Sequence, residues 1–334
     1  MKRTIVLIAV LTLIVSGGLF GEGQAEGEGE EEQINLRLAE THDEDYPTTQ
    51  GNYRFAELVE ERTDGRIQIE VFPSAQLGEE SDVIEQVQFG GIDITRVSIS
   101  PLAAFVPELD AFQMPFLYES TEHMFDVLLG EIGEEMFEKL EPEGFIGLSW
   151  YDAGSRNFYT TDPVESVEDF DGLQIRVQES PLMMDLVSLL GAEPTPMPFG
   201  EVYSGLQTGV IDGAENNWSS YLTTSHYEVA EYFLENAHTM VPEITVMSAD
   251  VFNELSEEDQ EIIKEAAWDS IDYQREVWEE TEAEAEEEIR EAGNTITTPS
   301  DEMMEEMRER MQPLYEEQSE EVQEMIERVR EVAE

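Results

Sequence analysis

Gly172-Leu173-Gln174-Ile175-Arg176-Val177-Gln178-Glu179-Ser180-Pro181 contains a short aliphatic strand, a tight connection and a helix start, and its reading sets the class of the whole chain. Leu173 to Val177 is β-forming; Ser180 is a helix cap with Pro181 at the first helical position, and the helix runs to Gly191. Working outward, the same alternation recurs. Strands are expected at Ile34 to Leu38, Ile67 to Phe72, Ile92 to Val97, Phe145 to Trp150 and Ile244 to Met247, with a helix from about Gln50 to Thr63 ended by Asp64-Gly65. Strand alternating with amphipathic helix predicts an α/β protein with mostly parallel sheets. In such sheets ligands collect beyond the carboxyl ends of the strands, which is where Gly78-Glu79-Glu80 and Asp152 to Arg156 fall.

The C-terminal third breaks the rhythm. From Ser256, with Asp259 three residues on as an approximate capping box, a helical pattern continues to Ala292 before Gly293-Asn294 stops it. Those roughly 37 residues would reach about 55 Å, long enough to cross two domains. The apolar positions do not sustain heptads, so a coiled coil is not expected.

Against 78 acidic residues stand 17 basic ones, a net charge of −61 with only three lysines. That excludes nucleic acid or an anionic membrane as partner. It predicts a salt-rich native medium, since the Debye length is only about 3 Å at 1 M salt. On such a chain an arginine between strand-forming aliphatics is an anomaly. A desolvated guanidinium needs a carboxylate or phosphate partner, internal or exogenous. Arg156 in Gly154-Ser155-Arg156-Asn157-Phe158, Arg176 in the opening stretch and Asn216 in Gly213-Ala214-Glu215-Asn216-Asn217-Trp218 are three such frames. A lone Arg176 would pair with a local Asp or Glu; two guanidinium groups and an amide offer more donors than one buried carboxylate uses.

At the N-terminus Lys2 and Arg3, the apolar run Ile5 to Val15 and Gly23-Gln24-Ala25 have the layout of a secretory signal over residues 1–25 with cleavage near Ala25, which implies export to the periplasm. A retained anchor is the alternative. Residues 26–33 form an acidic linker, and ordered structure is expected from about Ile34. With no cysteine, disulfides and thiolate chemistry are excluded. No Gly-x-Ser-x-Gly elbow, His-Glu-x-x-His, Walker loop or Gly-x-Gly-x-x-Gly is present, so no enzyme activity, metal site or cofactor is expected.

Gly172 to Val177, then Leu190-Gly191-Ala192-Glu193-Pro194-Thr195-Pro196-Met197, then Glu201-Val202-Tyr203 and Leu206-Gln207-Thr208-Gly209-Val210-Ile211-Asp212-Gly213-Ala214-Glu215-Asn216 together resemble the signature region of the DctP-type solute-binding proteins of tripartite ATP-independent periplasmic (TRAP) transporters. The resemblance extends over about residues 34–330 through Glu61-Arg62-Thr63-Asp64-Gly65-Arg66, Pro115-Phe116-Leu117 and Leu255-Ser256. It implies a two-lobed periplasmic binding protein with a mixed β-sheet in each lobe, crossing strands and a long domain-bridging helix. Lobe I would hold residues 34–153 and 242–281, lobe II residues 154–241 and 282–334. It further implies a monomer that captures an anion and delivers it to TRAP permease membrane subunits.

Carried onto this chain, the resemblance makes Arg176 the bidentate partner of a ligand carboxylate, assisted by Arg156 and Asn216. Tyr46-Pro47-Thr48, Glu80, Arg96, Tyr151-Asp152 and Asn216-Asn217-Trp218 resemble the subgroup that binds hexuronates such as D-glucuronate or D-galacturonate. Glu80, Asp152, His42 and Gln178 would then accept from sugar hydroxyls, with Tyr151 or Trp218 along the ring and Asn217 beside Asn216. Ser219 departs from the pattern, which has proline there. The competing expectations are a C4-dicarboxylate or other organic acid in the same class, an exported enzyme acting on anionic sugars, and a sensory or structural surface protein.

Overall fold

The computed structural model describes residues 33–332, so the expected signal segment, most of the acidic linker and the last two residues lie outside the described part. Eleven strands are described: β1 Ile34–Ala39, β2 Ile67–Phe72, β3 Ile94–Ser98, β4 Phe145–Tyr151, β5 Ser155–Thr160, β6 Gln174–Val177, β7 Glu193–Pro196, β8 Gly213–Asn216, β9 Tyr232–Met240, β10 Glu243–Ser248 and β11 Thr295–Thr297. They form two sheets, ordered β2-β1-β3-β10-β4 and β11-β9-β5-β8-β6-β7. Both sheets are mixed. β1 runs parallel to β2 and β3, while β10 runs antiparallel to β3 and β4. In the second sheet β6 is parallel to β7 and β8, and β5 is antiparallel to β8 and β9. The chain passes from the first sheet to the second between β4 and β5 and returns between β9 and β10. Each crossing delivers a reversed strand, which an expectation of mostly parallel sheets built on β-α-β rhythm does not contain.

All seven residues of β4 are buried, as a near-continuous apolar run covered on both faces requires. One core joins the first sheet to helices Pro47–Arg62 and Glu257–Asp269 through Leu38, Phe55, Val59, Ile94, Met247, Ile263 and Ala267. Another lies under the second sheet around Tyr159, Val202, Trp218, Tyr221 and Phe233, closed by Ala285 and Ile289. The largest cluster runs from Val97, Phe112 and Trp150 to Phe158, Phe170, Leu186 and Met307, and so includes residues of both sheets.

The expected long helix starts at its Ser256 cap, whose hydroxyl accepts from the Asp259 N–H, and ends at Gly293 with φ +95°. It is two helices, Glu257–Asp269 and Ile271–Ala292, meeting at Ser270. The Ser270 hydroxyl donates to the Ala267 carbonyl at 2.6 Å and meets the Tyr151 hydroxyl at 2.7 Å. A serine bonding back to its own helix competes there with the backbone ladder. The second helix packs on helix 47–62 and on the short helix Trp218–Thr223, thereby touching elements next to both sheets. Close approach requires glycine at 51, where a Cβ would meet the Gln274 side chain at 2.8 Å. The last helix, Glu320–Val332, packs on segments 107–112, 121–128 and 131–140, all within the sequence between β3 and β4.

Candidate functional site

The second sheet's order β5-β8-β6 brings Arg156, Asn216 and Arg176 onto three adjacent strands, each within a few per cent of full burial. They line a narrow cavity with only about 20 Å³ of room for a water-sized group. From the first-sheet side come Thr41, His42, Tyr46, Glu80 and Glu243; Ala153, Gln178, Phe199, Asn217 and Ser220 complete the wall.

The two arginines differ in kind. Arg156 Nε and Nη2 fork onto the Glu215 carboxylate, Nη2 also donates to the Glu215 carbonyl at 2.9 Å, and Nη1 reaches Asn216 Oδ1 at 3.3 Å. Burial alone would raise the Glu215 pKa, but the Arg156 guanidinium and the nearby His238 hold it down at about 2. The internal pairing that one buried arginine predicts is therefore realised at Arg156. Arg176 has no carboxylate within ion-pair distance among the described residues. Its Nε and Nη2 both donate to the Met197 carbonyl oxygen, at 2.9 and 2.8 Å, leaving Nη1 for the cavity. Desolvation is the largest influence on Arg176 and lowers its pKa, the mark of a buried cation short of a counter-charge.

Asn216 is oriented by what its oxygen does. Oδ1 accepts from Arg156 Nη1 and from the Asn217 N–H at 2.9 Å, both obligate donors, so its Nδ2 is the atom left to the cavity. Asn217 caps helix 218–223 through its Oδ1, accepting from the Ser220 N–H at 2.6 Å, and its Nδ2 donates to the Ala153 carbonyl at 3.0 Å. Tyr46 closes over this turn, its hydroxyl 2.8 Å from Ser220 Oγ. His42 stacks on the Tyr46 ring at 3.7 Å and meets Phe199 edge-on at 4.9 Å. Burial, reinforced by Arg156, pushes the His42 imidazole down to about 3, so it is neutral at any physiological pH.

Acceptors occupy the same cavity. Gln178 is buried, and its Oε1 has no partner among the described residues. Glu80 opens helix Glu80–Gln88, and its Oε1 accepts from the Ser98 N–H at 2.9 Å. Burial and the neighbouring Glu243 charge push its carboxyl up to about 8, against the pull of that N–H and of Arg176. Behind it Arg96, 1% exposed, forks onto Glu40, donates to Glu243 at 2.5 Å and lies 3.6 Å from Glu80.

Of the residues anticipated from sequence, Arg156, Arg176, Asn216, Asn217, Glu80, His42 and Gln178 come together here. Arg96, Tyr151, Asp152 and Trp218 do not line the cavity. Arg96 is consumed by the carboxylates behind the wall. The Tyr151 ring is buried with its hydroxyl on Ser270. Asp152 holds the Gly154 N–H at 2.8 Å in the crossing turn, and Trp218 stacks on Phe233 at 3.8 Å. Asp152 and Trp218 face a separate groove along helix 271–292. Thr41, Tyr46, Ala153, Phe199, Ser220 and Glu243 were missed as site residues; Tyr46 and Ser220 carried a signal, as parts of the Tyr46-Pro47-Thr48 and Asn216-Asn217-Trp218-x-Ser220-Tyr221 matches.

Residues 38–321 match the model of the family described as bacterial extracellular solute-binding protein, family 7 (DctP). A protein named solute-binding protein from Chromohalobacter salexigens is 39% identical over 261 residues, 78% of either chain. Among solved structures, a TRAP periplasmic solute-binding protein from a Bradyrhizobium species in complex with D-galacturonate superposes with a TM-score of 0.87 at 39% identity, covering 89% of this chain and 99% of that one. One from Chromohalobacter salexigens with bound D-glucuronate gives 0.85 at 36% identity, with the same coverage.

Proposed function

The chain belongs to the bacterial extracellular solute-binding proteins of family 7, and from that premise we propose that it binds a hexuronate, D-glucuronate or D-galacturonate, in the periplasm and delivers it to a TRAP permease. The family is one of binding proteins, not enzymes. The observation that carries the ligand class is Arg176, a buried cation on a neutral carbonyl with one face left to the cavity. An anion supplies the missing counter-charge, and Nη1 with Asn216 Nδ2 offers it two donors.

Two features favour a sugar acid over a simple dicarboxylate. Gln178 Oε1 lacks a donor that a ligand hydroxyl would provide, and leaving it unpaired in the bound state is costly. Glu80 and Glu243 would meet a second carboxylate with like charge or with a proton that must be shared. Relatives solved with galacturonate and with glucuronate support the same reading. In this account the lobes divide as the sequence suggested, with helix 320–332 reaching back onto the first, and capture closes them over the ligand. A thermal-shift screen of uronates, aldonates and dicarboxylates tests it. Ligand at about 100 times Kd adds roughly 2.7 kcal/mol, so hexuronates should give the largest rise in Tm. A largest rise with succinate or malate would remove the uronate assignment.

A further inference from the structure

We propose that Glu282, outside the cavity on helix 271–292, is a positioning residue that fixes the Asn216 donor for the ligand carboxylate. Its two oxygens hold the start of helix 218–223: Oε1 accepts from the Trp218 N–H at 3.1 Å, and Oε2 accepts from the Ser219 N–H at 3.0 Å and the Ser219 hydroxyl at 2.5 Å. Three donors on one carboxylate pin the Asn217-Trp218-Ser219 turn to a helix distant in sequence. The turn in turn sets the site, because the Asn217 N–H donates to Asn216 Oδ1 and so turns Asn216 Nδ2 toward the cavity. The path from Glu282 to the Asn216 amide has three steps, each a hydrogen bond or a stretch of covalent backbone.

The same helix face reaches the site by a second route. Trp278, four residues before Glu282 and therefore one turn away, meets the Tyr46 ring edge-on at 5.9 Å, and Tyr46 bonds Ser220 in the same short helix. Gly154, at φ +61° in the crossing turn, fits between them: a Cβ there would lie 3.1 Å from the Trp278 ring and 3.3 Å from Glu282 Oε1. Ser219 is what makes the link strong in this chain. Proline, which the family resemblance led us to expect at that position, has neither the N–H nor the hydroxyl that Glu282 accepts from.

The inference rests on the hexuronate reading, and the test separates the two. Calorimetry with D-glucuronate and D-galacturonate is run on wild type, Glu282→Ala and Glu282→Gln, each alone and combined with Asn216→Ala or with Arg176→Lys. Glu282→Ala alone is expected to weaken binding about tenfold, and Glu282→Gln, which keeps volume and one acceptor oxygen, about threefold. Combined with Asn216→Ala, either change is expected to cost less than about twofold more, since the donor it positions is gone; combined with Arg176→Lys the full loss persists. General damage to the fold would give the same loss in every background. An unchanged Kd in the Glu282 single variants, or equal losses with and without Asn216, overturns the inference. If Glu282→Ala does not fold, Glu282→Gln carries the same comparison. A wild type that binds no hexuronate refutes the underlying reading before any variant is compared.

Discussion

Replacing Arg176 and Arg156 in turn by methionine separates two buried guanidinium groups that the sequence cannot tell apart. Arg176 offers the ligand carboxylate one charge-assisted hydrogen bond through Nη1, worth about 1.5–3 kcal/mol, so Arg176→Met is expected to lose about that much affinity. In Kd that is roughly tenfold to a hundredfold or slightly more. Stability without ligand should move by no more than about 2 kcal/mol, because relief of an uncompensated buried charge offsets the orphaned Met197 carbonyl, itself worth about 1–3 kcal/mol. Arg156→Met strands the fully buried Glu215 carboxylate, and removing one partner of such a pair costs about 3–5 kcal/mol of stability. Urea denaturation of the ligand-free variants reads the second effect and calorimetry the first. An Arg176→Met protein with near wild-type affinity, or an Arg156→Met protein as stable as wild type, would refute the division of roles.

Glu80 carries its proton at neutral pH if its carboxyl sits near 8, so Glu80→Gln should change hexuronate affinity at pH 7 by less than about 1 kcal/mol, and calorimetry at pH 7 and pH 9 should find the wild type weakened at the higher pH and the variant less so. A large loss in Glu80→Gln at pH 7 and pH 9 alike would mean that an ionised Glu80 is the working acceptor. Ligand-free stability should fall as pH rises from about 4.5 through 8, because Glu80 and Glu282, raised to about 8 and about 7, keep protons in the folded state that the unfolded chain releases first. Glu215, held near 2, acts in the opposite sense: its contribution is present above about 4.5 and lost as pH falls toward 2, so urea midpoints should peak in mildly acidic buffer. With a net charge of −61 repelling an anionic ligand at long range, stopped-flow association should quicken as salt is added from low concentration; steady slowing would point to a locally positive field at the cleft.

Six strands were legible as aliphatic runs: β1 to β4, β6 and β10. The other five were not, and for β5, β7, β8 and β11 the reason lies in their work in the fold. β5 and β8 carry Arg156, Asn157, Glu215 and Asn216, polar residues that pair inside the sheet and beside the cavity, so their pattern does not alternate. β7, Glu193-Pro194-Thr195-Pro196, is an edge strand, where proline is tolerated because one side of the ladder is empty. β11 is a three-residue edge. The break between helices at Ser270 left no mark in composition, where the hydroxyl finds Ala267 and Tyr151. In the site, the types of residue were readable and their partners were not. Glu215 stands next to Asn216 in the quoted motif, yet nothing in a chain with 78 acidic residues distinguishes it as the counter-charge of Arg156. Tyr151 and Trp218 were expected along a sugar ring from the resemblance to the hexuronate-binding subgroup; both are buried away from the cavity.

The central claim is an orientation, and a crystal structure of the protein with D-glucuronate tests it most directly. The account predicts the ligand carboxylate on Arg176 Nη1 and Asn216 Nδ2, Arg156 still paired with Glu215, and a ring hydroxyl donating to Gln178 Oε1. A carboxylate bound away from Arg176, or a ligand that leaves Gln178 Oε1 without a partner, would contradict it.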